Sequence, residues 1–296
     1  MWLVYAGLAC LCFGLRGILY QWSSQKPLDR NLLLFAVYLS GTLIGVGLNF
    51  IVQPEWTPGV WVGLFMGVFS FTANAAMYKG FAVGKASLIA IMAGLPPVVV
   101  VILAYGLWGE ALTWGQGAAF LVIICGIILI RYSSDLSFSN LKGLQWGIIT
   151  LISFGLTDVA SKQAVLWGGE TIPTLVIMYA TGMVLFFISW LWGRNKRSSD
   201  EAQKEPGNSP DTKPNWSFSK TILWGLVVGV SNISGMLLLL PAFKLGVTGL
   251  VSAVVAMNVL IILFYARLFL KEKFNRQETA GIICAFCGMI LLRLIG

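Results

Sequence analysis

The side chains with most to say about function are polar groups set deep inside long apolar runs. Ser70, Asn74 and Tyr78 recur every four residues within one such run, which places them on a single stripe of a helix. Asn232 occupies a corresponding run with Ser231 and Ser234 close by, and Asn258 is followed seven residues later by Tyr265. Polar groups left against lipid are costly, so in an apolar chain they face a cavity or hydrogen-bond between helices. As a set they describe a hydrated, largely uncharged site with aromatic walls. Ser70, Asn74, Tyr78, Asn232, Asn258 and Tyr265 are therefore candidate substrate-binding residues.

Arg16 and Asp158 are the deepest charges. Arg16 joins the candidate substrate-binding set. Asp158, the only acidic side chain well inside a run, is the candidate for ion coupling, with a proton as the ion. Arg16 lies toward one membrane face and Asp158 toward the other; at 1.5 Å per residue their backbones are about 15 Å apart. They are expected to serve opposite halves of a pathway, and Lys162, one turn beyond Asp158, is its expected partner. Glu110 and Glu272 each precede the last helix of a half, where a carboxylate satisfies free backbone N–H groups and complements the helix dipole. The chain has no His, and its five cysteines all lie in apolar runs, so no metal, disulfide or cofactor site is expected.

What must position these residues follows from composition. With 57% hydrophobic and only 11% charged residues, and a mean hydropathy of +0.83, the chain is too apolar for a soluble domain. At about 20 apolar residues per span, ten spans are predicted: 2–21, 32–51, 59–78, 86–107, 114–131, 143–162, 172–192, 221–241, 248–269 and 278–295. The connections left over have no room for a soluble catalytic or regulatory domain. The net charge of +8 comes from basic residues at span ends, so the lipid bilayer is the expected partner and nucleic acid is not. The first span lacks a basic n-region and a cleavage site, and is expected to be a retained helix rather than a signal peptide.

The spans fall into two halves. At an offset of 162, Phe81, Gly84, Glu110, Cys125, Gly126 and Arg131 map onto Phe243, Gly246, Glu272, Cys287, Gly288 and Arg293. Gly63 and Gly67 map likewise onto Gly225 and Gly229, small-xxx-small faces that let helices approach closely. Phe13-Gly14-Leu15 recurs as Phe154-Gly155-Leu156 at an offset of 141, so about 21 extra residues enter the second half between its second and third spans. The expected units are 1–141 and 142–296. Five spans per unit is an odd number, so the second must enter the membrane from the opposite side; such inverted repeats are typical of secondary transporters with a midplane site. Pro96 and Pro97 remove backbone donors in mid-helix, leaving a hinge and plain packing both open, and Asn258 stands where the first half has Pro96.

Of the 20 basic residues, 16 lie in or beside the connections after the first, third, fifth, seventh and ninth spans, and three lie on the opposite side. The positive-inside rule puts the first group in the cytoplasm and both termini outside it. The polar stretch at about 193–219 has no apolar face to bury and is expected to be a disordered cytoplasmic loop.

Two runs carry a family resemblance. YKGFAVGKASLIAIMAGLPPVVVVILAYGLWGEALTWGQGAAFLVIICGIILI, from Tyr78 to Ile130, and PAFKLGVTGLVSAVVAMNVLIILFYARLFLKEKFNRQETAGIICAFCGMILL, from Pro241 to Leu292, resemble the EamA-type repeat of the drug/metabolite transporter superfamily. The resemblance extends over essentially the whole chain. It implies ten helices, five plus five, around a cavity lined mainly by the third, fourth, eighth and ninth, with the first and sixth beside them. Members move amino acids, nucleotide precursors, sugars, drugs and other small metabolites, usually by export or exchange and often with proton coupling. One departure concerns orientation. Many relatives keep their termini in the cytoplasm with basic residues in the second loop, whereas here that loop has Glu55 and no Lys or Arg.

The reading is an all-α integral membrane protein of two inverted five-helix repeats, in a bacterial-type inner membrane. Its expected function is secondary-active transport of a small organic metabolite by alternating access, as exporter or exchanger. No Walker-type loop is present to use ATP. A flippase for an amphipathic lipid-linked molecule is the alternative within transport. An intramembrane enzyme is the alternative outside it, weakened by the absence of His and of paired buried carboxylates. Both monomer and homodimer fit this reading.

Overall fold

The computed structural model describes residues 1–24, 26–83, 86–131, 143–202, 216–269 and 276–295. Its regular elements are all helical: α1 (Trp2–Ser24), α2 (Arg30–Val52), a 3-10 turn (Pro58–Trp61), α3 (Val62–Val83), α4 (Ala86–Gly94), α5 (Pro96–Trp108), α6 (Trp114–Arg131), α7 (Leu144–Leu166), α8 (Thr171–Ala202), α9 (Phe218–Leu245), α10 (Thr248–Ala256), α11 (Asn258–Phe269) and α12 (Arg276–Ile295). Among the described residues nine stretches are long and apolar enough to cross a membrane, and Trp114–Ile130 is a shorter apolar helix that completes ten. Local chemistry sets several ends. The Asp29 carboxylate accepts from the backbone N–H groups of Asn31 and Leu32 at the start of α2, and Ser217 caps α9. Gly109, at φ 66°, ends α5 in the left-handed conformation glycine adopts without strain.

The fourth and ninth spans, expected as single helices, are each broken in the middle. The first break follows from Pro96 and Pro97, which have no N–H to continue the ladder. The second falls at Met257, the position equivalent to Leu95, where there is no proline. Both breaks tighten the same way: Leu95 N–H donates to the Met92 carbonyl and Met257 N–H to the Val254 carbonyl. Asn258 Nδ2 donates to the Val255 carbonyl at 2.9 Å, so its side chain does locally what proline does by omission. α8 runs through Ala202 where a disordered loop was expected from about 193; residues 203–215 of that loop lie outside the described residues.

Close packing ties the halves together in a reciprocal way. A methyl group added at Gly63 would meet the Thr174 carbonyl at 2.5 Å and one at Gly67 the Met178 carbonyl at 2.7 Å, so α3 lies directly against α8. Gly225 and Gly229 repeat this against the carbonyls of Leu33 and Val37 on α2, at 2.8 and 2.6 Å. Leu33 and Val37 are the residues equivalent to Thr174 and Met178 at the offset of 141. Gly126 on α6 abuts Ala285 on α12, and Gly288 abuts Ile123, with the halves again exchanged. Gly41 receives the Tyr179 ring and Gly182 the Tyr38 ring. Each of these contacts is thus matched by one between the equivalent residues with the halves exchanged. The glycine pairs expected to pack do so.

Candidate functional site

Two adjoining cavities occupy the middle of the bundle. The inner one, about 130 Å³, is lined by Phe13 and Arg16 of α1, Ser70 of α3, the α4–α5 break, Phe154, Thr157 and Asp158 of α7, Asn232 of α9, Ser252 of α10 and Asn258. The outer one, about 530 Å³, runs past Arg16, Tyr20 and Gln21 to Arg30, Tyr78 and Phe81, at the end of the bundle where α1 stops and α2 begins. Phe13, Arg16, Ala93, Phe154 and Asn258 line both, so the two form one tract. Both helix breaks contribute to its wall, as expected for irregular backbone at membrane depth.

A polar lattice crosses this space. Arg16 Nη1 donates to Asn232 Oδ1 at 2.6 Å, and its guanidinium lies 4.6 Å from the Phe13 ring centre. Ser70 and Tyr38 share a hydroxyl–hydroxyl hydrogen bond of 2.5 Å, and Asn74 Nδ2 donates to the Ser70 carbonyl. Arg30 sits over the Tyr78 ring at 5.5 Å. Asp158 Oδ2 accepts from the Ser252 hydroxyl at 2.5 Å.

Of the residues singled out from sequence, Arg16, Ser70, Asn74, Tyr78, Asp158, Asn232 and Asn258 line the tract. Tyr265, seven residues beyond Asn258 on the same helix, is not among the residues lining the two cavities; it stacks on Phe269 at 5.0 Å. Arg16 and Asp158 were expected to serve opposite halves, yet both reach the inner cavity, converging on it from α1 and α7 without bonding each other.

The expected Asp158–Lys162 pair is replaced by another. Lys162 Nζ is 3.1 Å from Glu110 Oε1 and donates to the carbonyls of Phe243 at 2.8 Å and Gly246 at 3.3 Å. Those carbonyls end α9, where a cation complements the dipole better than a neighbour on its own helix would. Glu110 does satisfy a helix N-terminus, but that of α10 rather than α6: its Oε2 accepts from Thr248 N–H at 2.8 Å. Its counterpart Glu272 lies outside the described residues. The ion pair thus clamps the short α9–α10 connection to α7 and to the end of α5. Nearby, Trp108 Nε1 donates to Gln163 and Thr57 to the Gly168 carbonyl, so this end of the bundle is cross-linked while the outer cavity lies at the other.

Sequence reading missed Phe13, Phe154, Thr157, Ser252 and Arg30. For the two phenylalanines a signal existed: Phe-Gly-Leu recurs in both halves, and both rings line both cavities. Arg30 reads as a span-end charge, and nothing local distinguishes it.

The profile of the EamA-like transporter family matches residues 1–132 and 141–294. A solved crystal structure of a protein 14% identical to this chain superposes with a TM-score of 0.73, covering 99% of this chain and 96% of that one, a likeness of fold alone. No curated protein matches the chain.

Proposed function

We propose that this chain, which belongs to the EamA-like transporter family, moves a small organic solute by secondary-active alternating access, as an exporter or exchanger, through the tract around Arg16, Asn232 and Asn258. Membership of that family makes it a multi-pass membrane transporter. What supports this mode of transport is the pair of helix breaks at equivalent positions of both halves, each lining a tract that reaches one end of the bundle, while an ion pair and hydrogen bonds cross-link the other. Rocking one inverted repeat against the other would open the closed end and close the open one around a fixed site.

In this reading Asn74, Tyr78, Asn232, Asn258 and Ser70 contact solute, the two phenylalanines form its apolar walls, and the Lys162–Glu110 clamp is the gate. Asp158 carries the coupling proton. The basic bias supports a mouth, beside Lys26 and Arg30, at the cytoplasmic face of a bacterial-type inner membrane, with the termini outside.

The test is counterflow. Purified protein in proteoliposomes preloaded with one metabolite from a panel should take up the labelled form faster than empty vesicles, and the label should be recovered chemically unchanged. Recovery of altered label would indicate an enzyme, and no stimulation by any panel member would count against transport of small metabolites.

A further inference from the structure

Three cations mark a descending path into the bundle. Lys26 and Arg30 line a small pocket at the mouth, Arg30 and Arg16 line the outer cavity, and Arg16 alone reaches the inner one. Among the described residues no carboxylate lines the mouth pocket or the outer cavity. Asp158, the acid that lines the inner cavity, is bonded to Ser252 rather than to Arg16. Arg16 itself is under-used. A guanidinium offers five N–H donors; its hydrogen bond goes from Nη1 to the neutral Asn232, and its buried Nε has no hydrogen-bond partner.

A fixed cation at membrane depth with a buried, unsatisfied donor is costly unless an acceptor arrives. The planar fork of arginine suits the two oxygens of a carboxylate or phosphate, and low-dielectric walls focus the field of the two outer cations along the tract. The rings of Phe13, Tyr20 and Phe154 beside Arg16 provide apolar surface next to that charge.

We infer that the transported solute is a small organic anion, its carboxylate or phosphate group held by Arg16 and its apolar body lying against Phe13, Tyr20 and Phe154. This rests on the transport reading above and narrows it. Lys26 and Arg30 draw the anion to the mouth, and Asn232 holds the guanidinium in position.

The test uses three probes with the same ring and different head groups: phenylacetate, phenyl phosphate and phenethylamine. Each is titrated at millimolar concentration against the purified full chain in nanodiscs at low salt, reading melting temperature and calorimetric affinity. Phenylacetate or phenyl phosphate is expected to stabilise the protein and phenethylamine not to, the stronger anion identifying the head group. Arg16→Gln should weaken that binding at least about tenfold. Because this variant also loses the Asn232 contact, Arg30→Gln provides a second reading: weaker binding at low salt that converges with the unsubstituted protein near 1 M NaCl, where the Debye length is about 3 Å. Tighter binding of the amine than of either anion, anion binding indifferent to Arg16→Gln, or no stabilisation by either anion would overturn the inference. None of these touches counterflow, so a chain that exchanged a cationic or neutral solute would remain a transporter of another class.

Discussion

Asp158→Asn is expected to abolish solute movement driven by a pH gradient while leaving solute-for-solute exchange close to that of the unsubstituted protein. Net coupled movement requires a group that takes up and releases the proton within the tract, whereas exchange returns the carrier loaded and needs no net proton transfer. Asp158 lines the inner cavity, forms no ion pair among the described residues, and is held by the Ser252 hydroxyl alone. Lys162, one turn away, is committed to Glu110 and to the end of α9 and is not its counter-charge. Asparagine preserves the volume and an acceptor for Ser252 but has no proton to exchange. The check is a pH jump across proteoliposomes against counterflow in the same preparation. Gradient-driven uptake unchanged by the substitution would leave Asp158 as a packing partner of Ser252.

Lys162→Met is expected to destabilise the fold by about 3–5 kcal/mol, because it strands the Glu110 carboxylate at a site where the pair is only 8% and 21% exposed. It also leaves the carbonyls of Phe243 and Gly246 without their cation. Adding Glu110→Gln should recover much of the loss, since the second change removes the uncompensated charge, and a double-mutant cycle of thermal melts reads the coupling. Additive losses in the double variant would mean that the two charges do not act as a pair, and this end would then be held by Trp108–Gln163, Thr57–Gly168 and the glycine contacts.

What the sequence made legible was what periodicity and repetition encode. Ten apolar spans, two halves and the glycine faces of α3 and α9 could be read because hydropathy and small-residue spacing are properties of single helices. The α4–α5 break was visible in Pro96 and Pro97. Its twin at Met257 was not, since there a side-chain hydrogen bond from Asn258 replaces the proline signal. Lys162 shows the harder limit. On its own helix Asp158 is the obvious partner, and only the tertiary arrangement brings Glu110 and the α9 carbonyls closer. Tyr265 was read from its seven-residue spacing to Asn258 on the same helix, and spacing alone does not say whether a ring near a helix end turns to a cavity or stacks on a neighbour such as Phe269. Phe13 and Phe154 were recognised as a repeated pair but not as walls of a cavity, since aromatic residues in apolar spans are ordinarily packing.

Alternating access around one tract can be tested without knowing the solute. Ala93 lines both cavities and changes little in size as Ala93→Cys, introduced after replacing Cys10, Cys12, Cys125, Cys284 and Cys287. Ser219→Cys, exposed in the first turn of α9, marks the face nearest the mouth, since Trp216 just before α9 donates its N–H to the Pro27 carbonyl of the α1–α2 turn. An impermeant maleimide applied to each face in turn is predicted to modify Ala93→Cys faster from the face that labels Ser219→Cys. Adding Lys162→Met with Glu110→Gln should raise the rate from the opposite face several-fold as the clamp is released. Equal rates from both faces, unmoved by that double substitution, would mean that the clamp is no gate and would contradict the mechanism.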